Sequence, residues 1–426
     1  MTKVAVVGLG YVGITTSLGL ASLGHSVAGI DINEDRVATL QAGTLPIYEP
    51  GLDELLETEI ASGQLVLASS FDLVDSSTEF VFICVATPSS ATGKADLSYV
   101  AAALKTLAPR LSPGSIVVMK STMPVGSCKQ FAENLNSHSL QVASNPEFLS
   151  EGRALLDFQS PSRIVVGAET EETALKVMEL YKQIDAPRMI CSLTSAEAIK
   201  HASNSFLSVK LSYVNEVAEL CELSGADVAD VTHGMSLDPR IGDQFLKPGP
   251  GWGGSCFPKD SLELVSTAQA LGGRMPTLEA AIQSNSRTIS RVTDALREGL
   301  GGSLLGKKVG VWGLAFKANT DDTRESPALK IAESIIQEGG VVFAYDPMAK
   351  PGKDSRISMA ESALEACLGA TALVVLTEWK EFGFIGAASV KSVMAEAPMI
   401  FDTRGVLPFE DWSREFEDFH VIGKQK

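Results

Sequence analysis

The run Lys3-Val4-Ala5-Val6-Val7, followed at once by Gly8-Leu9-Gly10-Tyr11-Val12-Gly13, constrains the fold of this chain more than any other stretch. After this strand-length segment and glycine turn, an alanine- and leucine-rich helical stretch reaches Leu23 and Gly24 turns the chain. A second strand, Ser26-Val27-Ala28-Gly29-Ile30, then ends in Asp31. Strand, G-x-G-x-x-G, helix, strand and an acidic residue about 20 positions on form the fingerprint of a dinucleotide-binding unit. Gly8, Gly10 and Gly13 let backbone approach a pyrophosphate at the helix N-terminus, where Tyr11 and Val12 begin the helix, and Asp31 can accept from the adenosine ribose hydroxyls. A carboxylate there repels a 2′-phosphate, so NAD is expected rather than NADP. Arg36 points the other way, since a nearby arginine can serve a 2′-phosphate; it can equally lie against the adenine or be a solvated helix residue.

Further strands are expected at Phe80–Val85, Ser115–Met119 and Leu140–Ala143, each followed by polar, turn-prone residues. Doubly wound sheets bind ligands beyond the carboxyl ends of their strands. Thr87-Pro88, Lys120-Ser121-Thr122 and Asn145-Pro146-Glu147 are therefore site candidates, each of which could also be a turn or cap. At 426 residues and a formal charge of −17, the chain is long enough for two or three cores and too acidic for a phosphate-backbone binder. No apolar run reaches membrane-spanning length and no cationic-then-apolar leader precedes the first strand, so a cytoplasmic protein is expected. Six cysteines without C-x-x-C spacing indicate reduced thiols, with no metal site and no disulfide framework.

Thr194-Ser195-Ala196-Glu197 reads as a capping box opening a helix that runs to Gly225, about 45 Å at ~1.5 Å per residue, long enough for a central strut or a dimer axis. Lys200 and Asn204 share one face of it. They are either a solvated pair or a cradle for an oxyanion or a base. Gly249-Pro250-Gly251-Trp252-Gly253-Gly254-Ser255-Cys256-Phe257-Pro258-Lys259-Asp260 then sets one cysteine between a glycine loop and a helix start, where Pro258 suits the first turn and Asp260 the dipole. Backbone N–H groups and Lys259 would favour a thiolate there.

Glycines and small residues from Gly299 to Gly306 look like a linker. Lys308–Lys317 then begins a unit that echoes the N-terminus: strand, glycine turn, a helical run from Ser326, and a strand ending at Asp346. It lacks G-x-G-x-x-G, so its ligand is expected to be a nucleotide other than a second dinucleotide. Strands near Ala372–Leu376 and Met399–Asp402 continue it, and Arg404 follows. The fold class expected is α/β: two Rossmann-like doubly wound domains joined by a long central helix and a helical middle domain. The boundaries fall at 1–194 (cofactor domain), 195–300 (helical, dimerising, carrying the cysteine loop) and 301–426 (second Rossmann-like domain, for a nucleotide).

Taken together, GLGYVG, PIYEPGL, CVATP, KSTMPVGS, SNPEFLSEG, EAIKHASNSFLSVKLSYVNE, DPRIGDQFLKPGPGWGGSCFPKD, FKANTDDTRES and DTRGVL resemble the nucleotide-sugar dehydrogenases over essentially the whole chain. The resemblance is closest to the branch that oxidises UDP-glucose. It implies a four-electron oxidation of a sugar C6 alcohol to a carboxylate with two NAD per turnover. By the same resemblance, Cys256 forms a thiohemiacetal and then a thioester, Lys200 and Asn204 hold the oxyanion, and Glu147, Thr122 and Asp260 handle the hydrolytic water. Lys200 or a water held by Asp260 would take the first proton. Phe148, Leu149, Glu151, Phe245, Gly253, Phe316, Lys317 and Arg404 are implied substrate contacts, with Arg240 reaching across a homodimer. Glu151, Thr87, Thr122, Lys259 and Arg324 are implied on the cofactor side. Met123, Ser162 and Trp252 depart from the usual family residues, and Trp252 lies in the loop expected to touch the sugar or nucleotide. GDP-mannose, dTDP-glucose and UDP-N-acetyl sugars are alternative substrates. A two-electron hydroxyacid dehydrogenase, which needs no cysteine, and an NAD-binding scaffold without turnover are the rival functions.

Overall fold

The computed structural model describes residues 2–88, 90 and 93–425. Contacts divide the chain into two units, Met1–Ser203 with Leu262–Gly273, and Asn204–Ser261 with Arg274–Lys426. The long helix Leu193–Ser224 and the helix Phe257–Ala270 each contribute residues to both.

The first unit holds eight strands: β1 (Lys3–Val7), β2 (Ser26–Ile30), β3 (Leu65–Ala68), β4 (Phe80–Ile83), β5 (Ile116–Met119), β6 (Gln141–Ser144), β7 (Ile164–Ala168) and β8 (Arg188–Cys191). Their spatial order is β3-β2-β1-β4-β5-β6-β7-β8, parallel except where β7 runs against β6. The central strands β1, β4 and β5 are apolar runs because both faces are covered. Val4, Val6, Phe82 and Val118 pack with Leu9 of the glycine turn and Ile14 and Leu18 of the first helix on one side, and Ala5, Val7, Val81 and Val117 pack with Val100, Leu104 and Leu107 on the other. The order reverses between β1 and β4, so the crevice for a ligand opens at the ends of those two strands. β4 stops two residues before Val85, whose carbonyl accepts instead from the Ser121 hydroxyl at 2.6 Å.

The second unit repeats this topology with six parallel strands: β9 (Lys308–Trp312), β10 (Val341–Tyr345), β11 (Ser358–Met359), β12 (Ala372–Val375), β13 (Met399–Asp402) and β14 (Phe419–Val421), ordered β11-β10-β9-β12-β13-β14. The correspondence reaches single hydrogen bonds. Gly8 N–H donates to Ile30 O and Gly313 N–H to Tyr345 O; Leu9 N–H donates to Asp31 and Leu314 N–H to Asp346. Both turn glycines sit at φ +92°, in the region that L-residues avoid. Asp346 is committed further, to Ala315, Met348 and Ala349 N–H and to the Trp379 indole. A ribose therefore has less to bind there than at Asp31.

The long helix ends where expected, with Gly225 N–H on Cys221 O, but begins at Leu193 without a capping box. Ser192 Oγ accepts from Ser195 N–H instead. The Glu197 carboxylate turns away to accept from Gly126 N–H at 2.6 Å and Cys128 N–H at 2.7 Å, at the start of the helix Ser127–Leu135. Those unpaired N–H groups attract a carboxylate wherever it comes from in sequence. Among the described residues, no helix is long and apolar enough to cross a membrane.

Candidate active site

On the cofactor side, Gly10 caps the helix Tyr11–Ser22 in extended conformation, and a methyl group placed on it would meet nothing within 4 Å. That leaves an open surface at a positive helix terminus, which suits a pyrophosphate. Asp31, at the end of β2, accepts from Leu9 N–H at 2.8 Å and Asn33 N–H at 2.9 Å, and its Oδ2 pairs with Arg36 Nη1 at 2.8 Å. Arg36 is thus engaged by the Asp31 carboxylate. Beyond β4 and β5, Thr87 Oγ1 donates to Thr122 O at 3.2 Å, which joins two of the expected residues through one backbone carbonyl.

Beyond β6, Glu147 and Lys200 form a buried ion pair of 2.8 Å, and Glu147 Oε2 also accepts from Leu149 N–H at 2.5 Å. Burial alone would raise the Glu147 pKa, but the Lys200 ammonium and the Leu149 N–H outweigh it and hold the carboxyl below its ordinary value. Phe148 lies under two cations, Arg163 at 3.8 Å and Lys200 at 5.5 Å from its ring centre. Lys120, singled out by its place after a strand and in KSTMPVGS, is buried with Nζ 3.0 Å from Asn145 Oδ1, and burial pushes its ammonium down to about 8.

In the second unit, Cys256 is the residue whose carbonyl accepts from Asp260 N–H at 2.8 Å, so the sulfur stands at the start of the helix Phe257–Ala270, 3.5 Å from Ser255 Oγ. Asp260 is buried. Its Oδ2 accepts from Asn204 Nδ2 at 2.6 Å, while Oδ1 has no hydrogen-bond partner among the described residues and lies 3.8 Å from Lys259 Nζ. Glycine is required in this loop: a Cβ on Gly253 would stand 2.1 Å from Glu325 O. Phe316 packs beside Gly254, whose N–H bonds Arg324 O, so β9's turn supports the cysteine loop. Arg404 donates to Leu376 O and Phe316 O and pairs with Glu378.

The other expected residues have local side-chain partners. Arg240 and Arg324 are exposed and each pairs with the aspartate two residues before it; Lys317 lies over the Phe316 ring at 5.5 Å; Phe245 lies 6.1 Å from the Phe257 ring. Trp252, which departs from the usual family residue in the cysteine loop, is buried, with its indole N–H on Ser212 Oγ at 2.9 Å and its backbone on Asn285. A large ring with a single donor is best satisfied inside a core that offers one acceptor. The sequence marks Glu49 only as part of PIYEPGL, yet it is buried and accepts three hydrogen bonds. A lone loop glutamate between prolines carries no sequence signal for that.

Three family models match in succession, all of the UDP-glucose/GDP-mannose dehydrogenase family: the NAD binding domain over residues 2–185, the central domain over 194–287 and the UDP binding domain over 310–408. Among relatives, the UDP-glucose 6-dehydrogenase TuaD of Bacillus subtilis (strain 168) is 38% identical over 433 residues, covering 100% of this chain and 94% of the relative. Among solved structures, a UDP-glucose dehydrogenase from Pyrobaculum islandicum superposes with a TM-score of 0.90 at 36% identity, covering 100% of this chain and 98% of that one. A UDP-D-ManNAc dehydrogenase from Pyrococcus horikoshii superposes at 0.89 with 29% identity, covering 99% of each.

Proposed function

We propose that this chain, which belongs to the UDP-glucose/GDP-mannose dehydrogenase family, is an NAD-dependent UDP-glucose 6-dehydrogenase that carries C6 from alcohol to carboxylate through a Cys256 thioester. The single observation that carries the reading is the pairing of Cys256 with Asp260 on one helix start: a nucleophile, then a buried carboxylate oriented by Asn204 with one oxygen spare. A two-electron hydroxyacid dehydrogenase has no use for that sulfur. When bound, NAD supplies the hydride acceptor, and the open Gly10 surface and Asp31 are suited to hold it.

The chain's own residues do the rest. Lys200, paired with Glu147, is an ammonium without a lone pair, so it serves as an oxyanion donor rather than a base. Asp260 Oδ1 is then the acceptor for a water that takes the C6 hydroxyl proton. Cys256 adds to the C6 aldehyde, and the thiohemiacetal oxygen is held by Lys200 and Asn204, one turn apart on the same helix. After the second oxidation, Asp260 orients water onto the thioester carbonyl, assisted by Glu147 and Thr122, and thiolate leaves. Glu151, Phe148, Leu149, Phe245, Gly253, Phe316, Lys317 and Arg404 bind the sugar nucleotide, and Thr87, Lys259 and Arg324 line the cofactor.

UDP-glucose is preferred over GDP-mannose, dTDP-glucose and UDP-N-acetyl sugars because the relatives at 35–38% identity carry that name. The segments 1–194, 195–300 and 301–426 then correspond to cofactor, dimerising and nucleotide-sugar parts of a cytoplasmic homodimer. Phe206, Tyr213, Leu220 and Leu223, all exposed at helical spacing on the long helix, support a self-associating face from which Arg240 reaches the partner's sugar. Purified protein with NAD and UDP-glucose should yield two NADH per sugar; a ratio of one, or no turnover with any nucleotide sugar, would sink the reading.

A further inference from the structure

One carboxylate of the first unit gathers donors from separate sequence motifs. Glu49, in the loop 46–51, is 2% exposed. Its Oε1 accepts from the Tyr11 hydroxyl at 2.7 Å and from Gly152 N–H at 2.5 Å, and its Oε2 from Ala154 N–H at 2.9 Å. Tyr11 is the first residue of the helix behind the glycine turn, while Gly152 and Ala154 close the loop that starts at Glu147 and carries Phe148, Leu149 and Glu151.

We propose that Glu49 is a positioning residue that couples the two ligand sites: order imposed at Tyr11 by bound NAD passes through Glu49 to the 147–154 loop, so that each ligand tightens the binding of the other. The substrate half of this statement rests on the function proposed above.

The geometry supports it at each link. Burial and then the Glu49 bond push the Tyr11 phenol well above its ordinary pKa, so its proton stays in place to be donated. The early part of the loop has its own anchors, Leu149 N–H on Glu147 and Ser150 N–H on Asp157 at 2.9 Å. Its later part, on either side of Arg153, relies on Glu49 for two N–H groups. Glu151 lies between the two sets, so its backbone is aimed from both ends. A ligand that orders such a segment lowers the ordering cost for the next ligand, and the coupling is equal in both directions by linkage.

The test uses saturating NADH with the wild type, Tyr11→Phe and Glu49→Gln. In the wild type, NADH should slow amide hydrogen exchange at Gly152 and Ala154 and lower the Kd for UDP-glucose about 5- to 10-fold, a coupling of ordinary size. In both variants the Kd ratio should fall to near 1 and the exchange response should vanish. Tyr11→Phe removes one hydroxyl, so it decides the matter even if Glu49→Gln fails to fold. Coupling retained in Tyr11→Phe, or wild-type exchange at Gly152 and Ala154 unmoved by NADH, overturns the proposal. The exchange arm uses NADH alone, so failure of UDP-glucose to bind would refute the substrate and leave the exchange result to decide the coupling.

Discussion

Replacing Glu147 by Gln tests the buried pair that ties the long helix to the end of β6. Glu147 and Lys200 side chains are 7% and 4% exposed and 2.8 Å apart. Gln fills the same space and still offers an oxygen to Leu149 N–H or to the ammonium, but no charge. An ammonium left buried without its counter-ion costs ~3–5 kcal/mol, and one retained hydrogen bond to a charged group offsets ~1.5–3 kcal/mol of that. A net loss of about 2 kcal/mol lowers the urea midpoint by about 1 M for a slope of about 2 kcal/mol/M. The variant also loses the carboxylate that fixes the Lys200 ammonium in place for the oxyanion, and kcat should fall about 10²- to 10³-fold. The pH dependence has a definite sign. The folded pKa of Glu147 lies below its unfolded value of ~4.3, so the pair's contribution is full above that value and is lost as pH falls through the lower folded pKa. Urea unfolding of wild type and variant should therefore differ at pH 7 and draw together as the pH falls below about 4. An unchanged midpoint at pH 7, or a gap that persists at low pH, would refute the charge-pair account.

The remaining tests address single links. Cys256→Ser should release no more than one NADH per sugar in a single turnover, because a hydroxyl is a poor nucleophile at neutral pH; two would remove the sulfur from the mechanism. Asp31→Asn keeps an acceptor for Leu9 N–H but frees Arg36 from its ion pair. The kcat/KM ratio for NADP over NAD should rise by about tenfold or more, roughly 1.4 kcal/mol, and an unchanged ratio would place the ribose elsewhere. Glu197→Ala strips the acceptor from Gly126 and Cys128 N–H. At ~1–3 kcal/mol for each buried donor left unsatisfied, thermal unfolding should drop by several degrees, with Glu197→Gln falling between; equal melting of all three would show that the carboxylate contributes nothing there.

Whatever depends on neighbours in sequence was legible from the residues alone. The turn from β1 into its helix, the acid at the end of β2, its echo at Asp346 and the helix start beside Cys256 each follow from steric and capping demands met within a few residues. Partnership across long separations was not legible. Asp260 read as a residue suited to a helix start, and only the path of the chain brings Asn204, 56 positions earlier, onto one of its oxygens. Glu197 read as part of its own helix's cap, yet it serves a helix that begins 70 residues before it. Trp252 read only as a departure in a ligand-facing loop, and its indole is satisfied inside a core by Ser212, 40 positions earlier. Glu49 carried no signal, although three donors converge on it. The reason is common to all four. Backbone turns and helix ends are satisfied locally, whereas a buried carboxylate or indole must find its hydrogen-bond partner wherever the fold delivers one.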